Sequence, residues 1–498
     1  VKRRAVRVIA VLFLSLPVRA EAQSNWNQGL ASNVYATAFA FMAPRTLTVI
    51  PMGKLTLWGL RGLTALDPSV GPTMDSKSIV LIDREQVVLS IPLPAPGDAA
   101  GWGAVAAQLC GRAAQLSPAI AQAGTGGIVT SFFDELFNHL DPYSRYVPPV
   151  IGDEAGADGD PGLTVAITRH HAVIETVSPG GSAAEAGLDV GDRVLAIDGV
   201  PTHGQDAYAL NTALSGPPGS EVTLHIIPRH KRPQTMALTR IASPPQTVFA
   251  TRQGPMLVIQ ITGFERNTAD MVRQTLVEAS DAPLAPQGIV LDLRGNRGGL
   301  LDQAVAVANG LIPHGTIGSA AGRDPAADQT WRAASGDLAS GKPLMVLVDG
   351  RTASAAEVLA AALADDGRGV VVGSATFGKG LVQAATPLPD GGTLLLTWAR
   401  LLAPLGWPLQ GLGVMPQICT SGTTDSVEAE LEALSAGQQP MGAAIRASRA
   451  ARPGITLDQI LQMREACPAA LGSSLDLQAA QFLVTTPPAY SAALIGAP

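Results

Sequence analysis

Leu344-Met345-Val346-Leu347-Val348-Asp349-Gly350-Arg351-Thr352-Ala353-Ser354-Ala355-Ala356-Glu357-Val358-Leu359-Ala360-Ala361-Ala362-Leu363-Ala364 is an apolar run of strand length, a short turn and an Ala-rich run of helix length. Leu344 to Val348 reads as a buried strand and Ala355 to Ala364 as a helix, so Ser354 stands where one passes into the other. The first N–H groups of a helix have no partner within it and stabilise a developing negative charge. A serine there is a common N-cap, and also a suitable place for a nucleophile with half an oxyanion hole, Ala355 giving the first N–H. Outward from this stretch the alternation continues. Met256 to Ile261, Gly288 to Leu293 and Val370 to Val372 read as strands, and Thr268 to Ser280 and Leu300 to Leu311 as helices. Strands alternating with helices predict an α/β layer structure.

Downstream lies Thr376-Phe377-Gly378-Lys379-Gly380-Leu381-Val382-Gln383. Lysine is scarce, six in 498 residues, yet one stands here between two glycines in an otherwise uncharged, partly apolar segment. An ammonium taken out of water gives up its proton more readily, and a neutral amine can activate a serine without histidine. The ordinary alternative is a surface turn lysine. If Leu381 to Gln383 is extended, Gln383 falls on the same face as Lys379 and could orient the amine. Glu357, one turn from Ser354, and Thr376, three residues before Lys379, are expected to support them. Asp365 lies on the serine's helix face but about 16 Å away at 1.5 Å per residue, so it is expected to be structural, tying Arg368 at the helix end. Gly298-Gly299 would give the second oxyanion donor, since missing side chains let the backbone approach a carbonyl.

Between Gly162 and Arg240 the pattern changes to short strands: Leu163 to Ile167, Ala172 to Val177, Arg193 to Ile197 and Glu221 to Ile227. Short helices are predicted over Ser182 to Ala186 and Asp206 to Leu214, and Asp198-Gly199 is a hairpin turn signal. With Gly181-Ser182-Ala183-Ala184-Glu185-Ala186-Gly187-Leu188 and Val190-Gly191-Asp192-Arg193-Val194-Leu195-Ala196-Ile197-Asp198-Gly199, this stretch resembles a PDZ domain. Such a module adds a peptide as a strand to a sheet edge while backbone N–H groups hold its carboxylate. Gly162-Leu163-Thr164-Val165 is the segment expected to bind the peptide; the alternative is a β-rich spacer that binds nothing.

Three further words, Leu291-Asp292-Leu293-Arg294-Gly295-Asn296-Arg297-Gly298-Gly299-Leu300, the serine word and the lysine word, resemble the C-terminal processing peptidases, or tail-specific proteases. The resemblance runs from Leu140-Asp141-Pro142-Tyr143-Ser144-Arg145-Tyr146 through the PDZ-like module to Leu409-Gln410-Gly411-Leu412-Gly413-Val414-Met415-Pro416. It implies a PDZ-like β-rich domain (162–240) followed by an α/β, ClpP/crotonase-like protease core (245–419). The Ala-rich composition and the helical-looking segments Gly103 to Leu116 and Ile128 to Leu140 make 23–161 a helical N-terminal region, and 420–498 reads as an Ala-rich helical extension without chemistry, so a multidomain α+β chain is expected. The resemblance implies an endopeptidase cutting proteins near their C-termini, with Ser354 as nucleophile, Lys379 as base and Gln383 orienting it, and no cofactor or metal. The expected partners are protein or peptide substrates with free C-termini, an adaptor protein and further copies of the chain in a homo-oligomer. The chain departs from the family at Arg297, where Pro or Gly is common, and at Ala356, where a second Ser is common. The rival reading is a catalytically inactive PDZ-bearing scaffold on a protease fold.

Bulk properties agree with a globular protein: 46% hydrophobic, 15% charged residues and a net charge of −7. Mild acidity disfavours nucleic acid, and the basic cluster Arg229-His230-Lys231-Arg232 reads as a solvated loop. Lys2, Arg3, Arg4 and Arg7, the apolar run Val8 to Leu16 and Ala20-Glu21-Ala22 read as a signal peptide (1–22), cleaved after Ala22, with an uncleaved anchor as the alternative. The chain is therefore expected to be exported, to a periplasm or beyond. Of Cys110, Cys419 and Cys467, the last two are the expected pair for a bridge; three buried free thiols are the alternative. The acidic, Gly-rich stretch Gly152 to Pro161 reads as a linker. A Ser-His-Asp hydrolase finds only His314 in the α/β region, and no lysine has a serine three residues before it, which excludes a β-lactamase-type pair.

Overall fold

The structure, a computed structural model, describes residues 26–149, 159–168, 171–177, 181–229, 232–241, 246–334 and 336–495. The signal segment, most of the Gly152–Pro161 linker, and His230 and Lys231 lie outside the described residues. The chain divides into two compact units: the residues up to Pro149 with Gln383–Thr397, and Val150–Val382 with Trp398–Pro498.

The first unit is built on the helices Gln28–Arg45, Met52–Leu60, Ala99–Leu116 and Pro118–Asn138. The last is kinked at Gly124, whose φ of 62° lies outside helical space. Tyr35, Phe39, Phe132 and Phe133 are fully buried at the centre. The stretch from Leu30 to Ile91 shows little pattern in sequence, yet it also contains an antiparallel three-stranded sheet of Val70–Met74, Ser78–Asp83 and Gln86–Pro92. This region is thus mixed, not purely helical. Gln383–Thr397, read from sequence as core, counts with this unit for a visible reason. Thr393–Leu395 pair with Arg145–Val147, and Leu388, Leu394 and Leu396 join the helical unit's apolar cluster. The Asp141 word makes that joint: Asp141 Oδ1 accepts from the Tyr143 and Ser144 N–H groups (3.0 Å each), and the Ser144 hydroxyl accepts from Thr397 N–H (2.9 Å).

In the second unit, the PDZ-like module is a sheet in the order Gln234–Thr239, Glu221–Ile227, Arg193–Ile197, His171–Val177, Leu163–Thr168, with Val200–Pro201 paired to Arg193–Ile197. Asp198 and Gly199 both have positive φ (47° and 79°), as the hairpin turn requires. Leu163–Thr168 is an edge strand. The core is a second sheet in the order Val248–Gln253, Met256–Ile261, Gly288–Asp292, Leu344–Val348, Val370–Gly373, Ile418–Cys419. Its first pair is antiparallel and the rest parallel, and Gly288–Asp292 and Leu344–Val348 are buried at every residue. Parallel strands covered on both faces read as continuous apolar runs, which is why they were visible in the sequence. The helix Ala355–Asp365 is buried along its whole length, so its alanines set how closely it packs. The extension beyond Thr420 is helical: Thr424–Ser435, Gly442–Ala450, Leu457–Arg464, Ser474–Thr485 and Pro487–Ala493. Ala479, Ala480, Leu483, Ala489 and Ala493 cover one face of the core sheet. Cys419 and Cys467 are bridged, and Cys110 is free and buried.

Candidate active site

Ser354 is the residue before the first turn of Ala355–Asp365 and has φ 60° and ψ −121°, a conformation that side-chain-bearing residues rarely adopt. Three groups hold it there. Thr352 Oγ1 donates to Leu293 O (2.9 Å), Ala353 N–H donates to Asn296 O (2.9 Å), and Ser354 N–H donates to Glu357 Oε2 (2.8 Å). Asp349 fastens the preceding turn by accepting from the N–H groups of Gly295, Arg351 and Thr352.

Glu357 is fully buried, and its carboxylate is the joint of the site. Oε2 accepts from Lys379 N–H (2.8 Å) as well as from Ser354 N–H; Oε1 accepts from Gly378 N–H (2.7 Å) and from the Thr376 hydroxyl. One oxygen therefore bonds the backbones of serine and lysine at once. Burial pushes the Glu357 carboxyl above the ordinary glutamate range, and the four donors pull the other way by favouring the charged form. Phe377 N–H adds a bond to Thr352 O (2.9 Å) between the lysine loop and the serine turn. Lys379 is half-buried, less enclosed than the sequence led us to expect.

Gly298 and Gly299 have φ of 100° and 134°. A Cβ on Gly298 would lie 2.9 Å from Ser354 Cβ and 3.1 Å from Ala355 N, so only glycine lets this loop approach the serine turn. The expectation of both glycines as donors needs correcting in one respect, because Gly298 N–H is spent on Asn296 Oδ1 (2.8 Å). Phe264 N–H donates to Gly298 O and Leu300 N–H to Phe264 O, a parallel bridge that turns the N–H of Gly299 away from Phe264. The fully buried Asn296 side chain, which also donates to Ile261 O (2.8 Å), orders this loop; the sequence reading gave it no role. Arg297, Gly350, Arg351, Ala353, Phe377 and Lys379 line a cavity of about 360 Å³ beside the serine turn.

Two expected residues make other bonds. Asp365 does not tie Arg368: it pairs with Arg449 (Nε to Oδ1, 2.8 Å) and accepts from Trp407 Nε1 (2.8 Å), while Arg368 pairs with Asp337. Asp365 is structural, as expected, but its partner belongs to the C-terminal extension. Gln383, counted with the first unit, donates through Nε2 to Thr397 Oγ1 (3.0 Å), which donates to Asp141 Oδ1 (2.7 Å).

In the PDZ-like module, Gly162 has φ 78°, and an added Cβ would strike Gly181 Cα at 2.7 Å. Its N–H is bonded to Asp160 Oδ1 (2.6 Å). At the free edge, Val165 N–H donates to Asn211 Oδ1 and Val165 O accepts from Asn211 Nδ2, both 2.9 Å. An added strand would make that same pair of bonds. Asn211 is interior to the helix Ala207–Leu214, where asparagine is a poor former, and that mismatch was a readable sign. Arg464 of the extension donates to Thr376 O (2.7 Å) and Leu412 O (2.7 Å), contacts with no signature in the sequence because the acceptors are main-chain carbonyls far upstream.

The pattern of Peptidase family S41 matches residues 256–420, and that of the PDZ domain matches residues 173–227. The chain is 34% identical over 289 residues to the carboxy-terminal-processing protease of Bartonella bacilliformis, covering 56% of this chain and 66% of that protein, just under two thirds of its length. It is 34% identical over 294 residues to the carboxyl-terminal-processing protease of Synechocystis, covering 57% of this chain and 67% of that one. Among solved structures, a photosystem II D1 C-terminal processing protease is similar at 31% identity and a TM-score of 0.36, covering 57% of this chain and 81% of that one. On these matches the chain belongs to the C-terminal processing peptidases of family S41.

Proposed function

We propose that the chain is a serine endopeptidase that cuts proteins near their C-termini, with Ser354 as nucleophile and Lys379 as base. Ser354 Oγ attacks the scissile carbonyl while the neutral Lys379 amine takes the hydroxyl proton. The N–H groups of Ala355 and Gly299 receive the tetrahedral oxygen. The ammonium then returns the proton to the departing amine, and water, activated by the same amine, releases the acyl-serine. A role for Gln383 in holding the amine rests on the family resemblance alone. The substrate tail is captured by its free carboxylate at Gly162-Leu163-Thr164-Val165, and an adaptor and self-association belong to the same reading. Export rests on residues 2–22, and the Cys419–Cys467 bridge suits an oxidising compartment.

The observation that carries this reading is the Glu357 carboxylate, bonded at once to the N–H groups of Ser354 and Lys379. Such a joint fixes the two backbones that carry these side chains relative to one another, which a scaffold without chemistry would not need. Ser354→Ala and Lys379→Ala should each lower cleavage of a tailed reporter peptide by about a thousandfold or more while the fold is kept. Ser354→Ala should also abolish labelling by a fluorophosphonate. Cleavage at the wild-type rate by Ser354→Ala would remove this serine as nucleophile, and an inert wild-type protein would favour the scaffold.

A further inference from the structure

Arg464 ends the helix Leu457–Arg464, in the extension beyond the stretch that matches Peptidase family S41. Its guanidinium reaches two segments of the core. Nη2 donates to Thr376 O (2.7 Å), and Nη1 donates to Leu412 O (2.7 Å) and, more weakly, to Gly411 O (3.4 Å). Thr376 is the residue whose hydroxyl bonds Glu357, and Gly378 and Lys379 follow it with their own bonds to that carboxylate. Thr376 Oγ1 also accepts from Val414 N–H (2.8 Å), so the lysine loop and the Gly411–Val414 loop form one block with Arg464 across it. At Gly413 an added Cβ would lie 2.8 Å from both Arg464 Nη1 and Thr376 O, so the three groups leave no room for a side chain. Three residues on, Cys467 is bonded to Cys419 at the edge of the core sheet, which fastens this end of the helix.

We propose that Arg464 is a positioning residue of the active site, a strap from the C-terminal extension that holds the loop carrying Lys379 in register with Ser354. This rests on the function proposed above. The geometry calls for a guanidinium: a planar fork can serve carbonyls on two loops at once, whereas an ammonium is a single point. Its charge also reaches Glu357, which draws N–H donors from Ser354, Gly378 and Lys379 and a hydroxyl from Thr376. Loss of the positive charge makes the ionised carboxylate harder to keep.

The test compares the full chain with Arg464→Ala, Arg464→Lys and Ser354→Ala in one peptide-cleavage assay across pH, with circular dichroism of each. Arg464→Ala should keep KM within about twofold and lose about a hundredfold in kcat, a loss of about 2.7 kcal/mol in transition-state stabilisation. The acid limb of kcat/KM should move to higher pH, and added guanidinium ion should restore part of kcat. Arg464→Lys, which keeps the charge and loses the planar fork, should fall between in kcat and leave the acid limb close to its wild-type place. Wild-type kcat with an unmoved acid limb in folded Arg464→Ala would overturn the proposal. Should Arg464→Ala not fold, Arg464→Lys decides by kcat, and a wild-type kcat in that variant would overturn the proposal. Activity surviving in Ser354→Ala would instead count against the function itself, so the two failures are distinguishable.

Discussion

At the scale of single residues, the site is organised by a conflict. Ser354 holds a backbone conformation that costs of order 1–3 kcal/mol, and Glu357 is a carboxylate at full burial. Each offsets the other, because the strained turn presents the N–H that the carboxylate needs. Burial raises the Glu357 carboxyl above the ordinary range, so its folded-state value exceeds the unfolded one of about 4.3. The folded state then holds more protons than the unfolded state between those values. The stability from this group is full below about pH 4.3 and is lost as pH rises through the raised value. Activity has the opposite sign, since a protonated carboxyl cannot accept from all four donors. On the proposed function, the expected result is a window above about pH 4.3 in which the protein is folded and inactive. Parallel titrations of kcat/KM and circular dichroism check it, and activity and fold lost together would refute it. Glu357→Gln should abolish that acid limb and leave about one per cent of wild-type activity or less, since an amide offers one acceptor oxygen to four donors. That Ser354, Lys379, Glu357 and Thr376 lie together was legible because each stands in a short word with a physical reason. The roles of Asn296, Asp349 and Arg464 were not, because each rests on main-chain groups of segments distant in sequence, and nothing in the sequence says which segments the fold brings near.

At the scale of elements, apolar runs and turn residues were good guides where a strand is covered on both faces or alternates cleanly. Met256–Ile261, Leu344–Val348, Arg193–Ile197 and Glu221–Ile227 fall where the pattern puts them. The strands from Val70 to Pro92 were missed, since intermediate and exposed positions dominate them and no period emerges. The strand Leu163–Thr168 was read correctly but its environment was not, because the partner at its free edge is a side chain and not a strand. An incoming peptide must replace both bonds of Asn211 at Val165 to pair there. A net hydrogen bond is worth about 1 kcal/mol and two are displaced, so Asn211→Ala should tighten binding of a free-acid tail peptide by about thirtyfold. On the proposed reading, in which the carboxylate is held at Gly162-Leu163-Thr164-Val165 and not at Asn211, an amidated peptide should gain by the same factor from a weaker starting point. Titration by fluorescence anisotropy decides, and weaker binding in Asn211→Ala would make the asparagine a peptide contact instead of a competitor.

At the scale of the whole molecule, the C-terminal extension is the part whose purpose the sequence hid. It reads as Ala-rich helix without chemistry, yet it covers a face of the core sheet, pairs Arg449 with the buried Asp365 and sends Arg464 to the lysine loop. The Cys419–Cys467 bridge joins this extension to the core across a sequence separation of 48. Closing a loop of that length lowers the entropy of the unfolded chain by an amount worth about 4 kcal/mol at 25 °C, an upper figure because native strain and residual structure subtract from it. Reduction, or the double variant Cys419→Ser with Cys467→Ser, should therefore lower the midpoint of thermal unfolding of the second unit by about 5–10 °C, whereas the first unit, whose free Cys110 is buried, should melt unchanged. Activity should fall at temperatures below that midpoint, because Cys467 lies three residues from Arg464 and its release loosens the strap before the core melts. Calorimetry and peptide cleavage with and without reductant measure both. A midpoint that reduction leaves in place would mean that the extension is held by its apolar face alone.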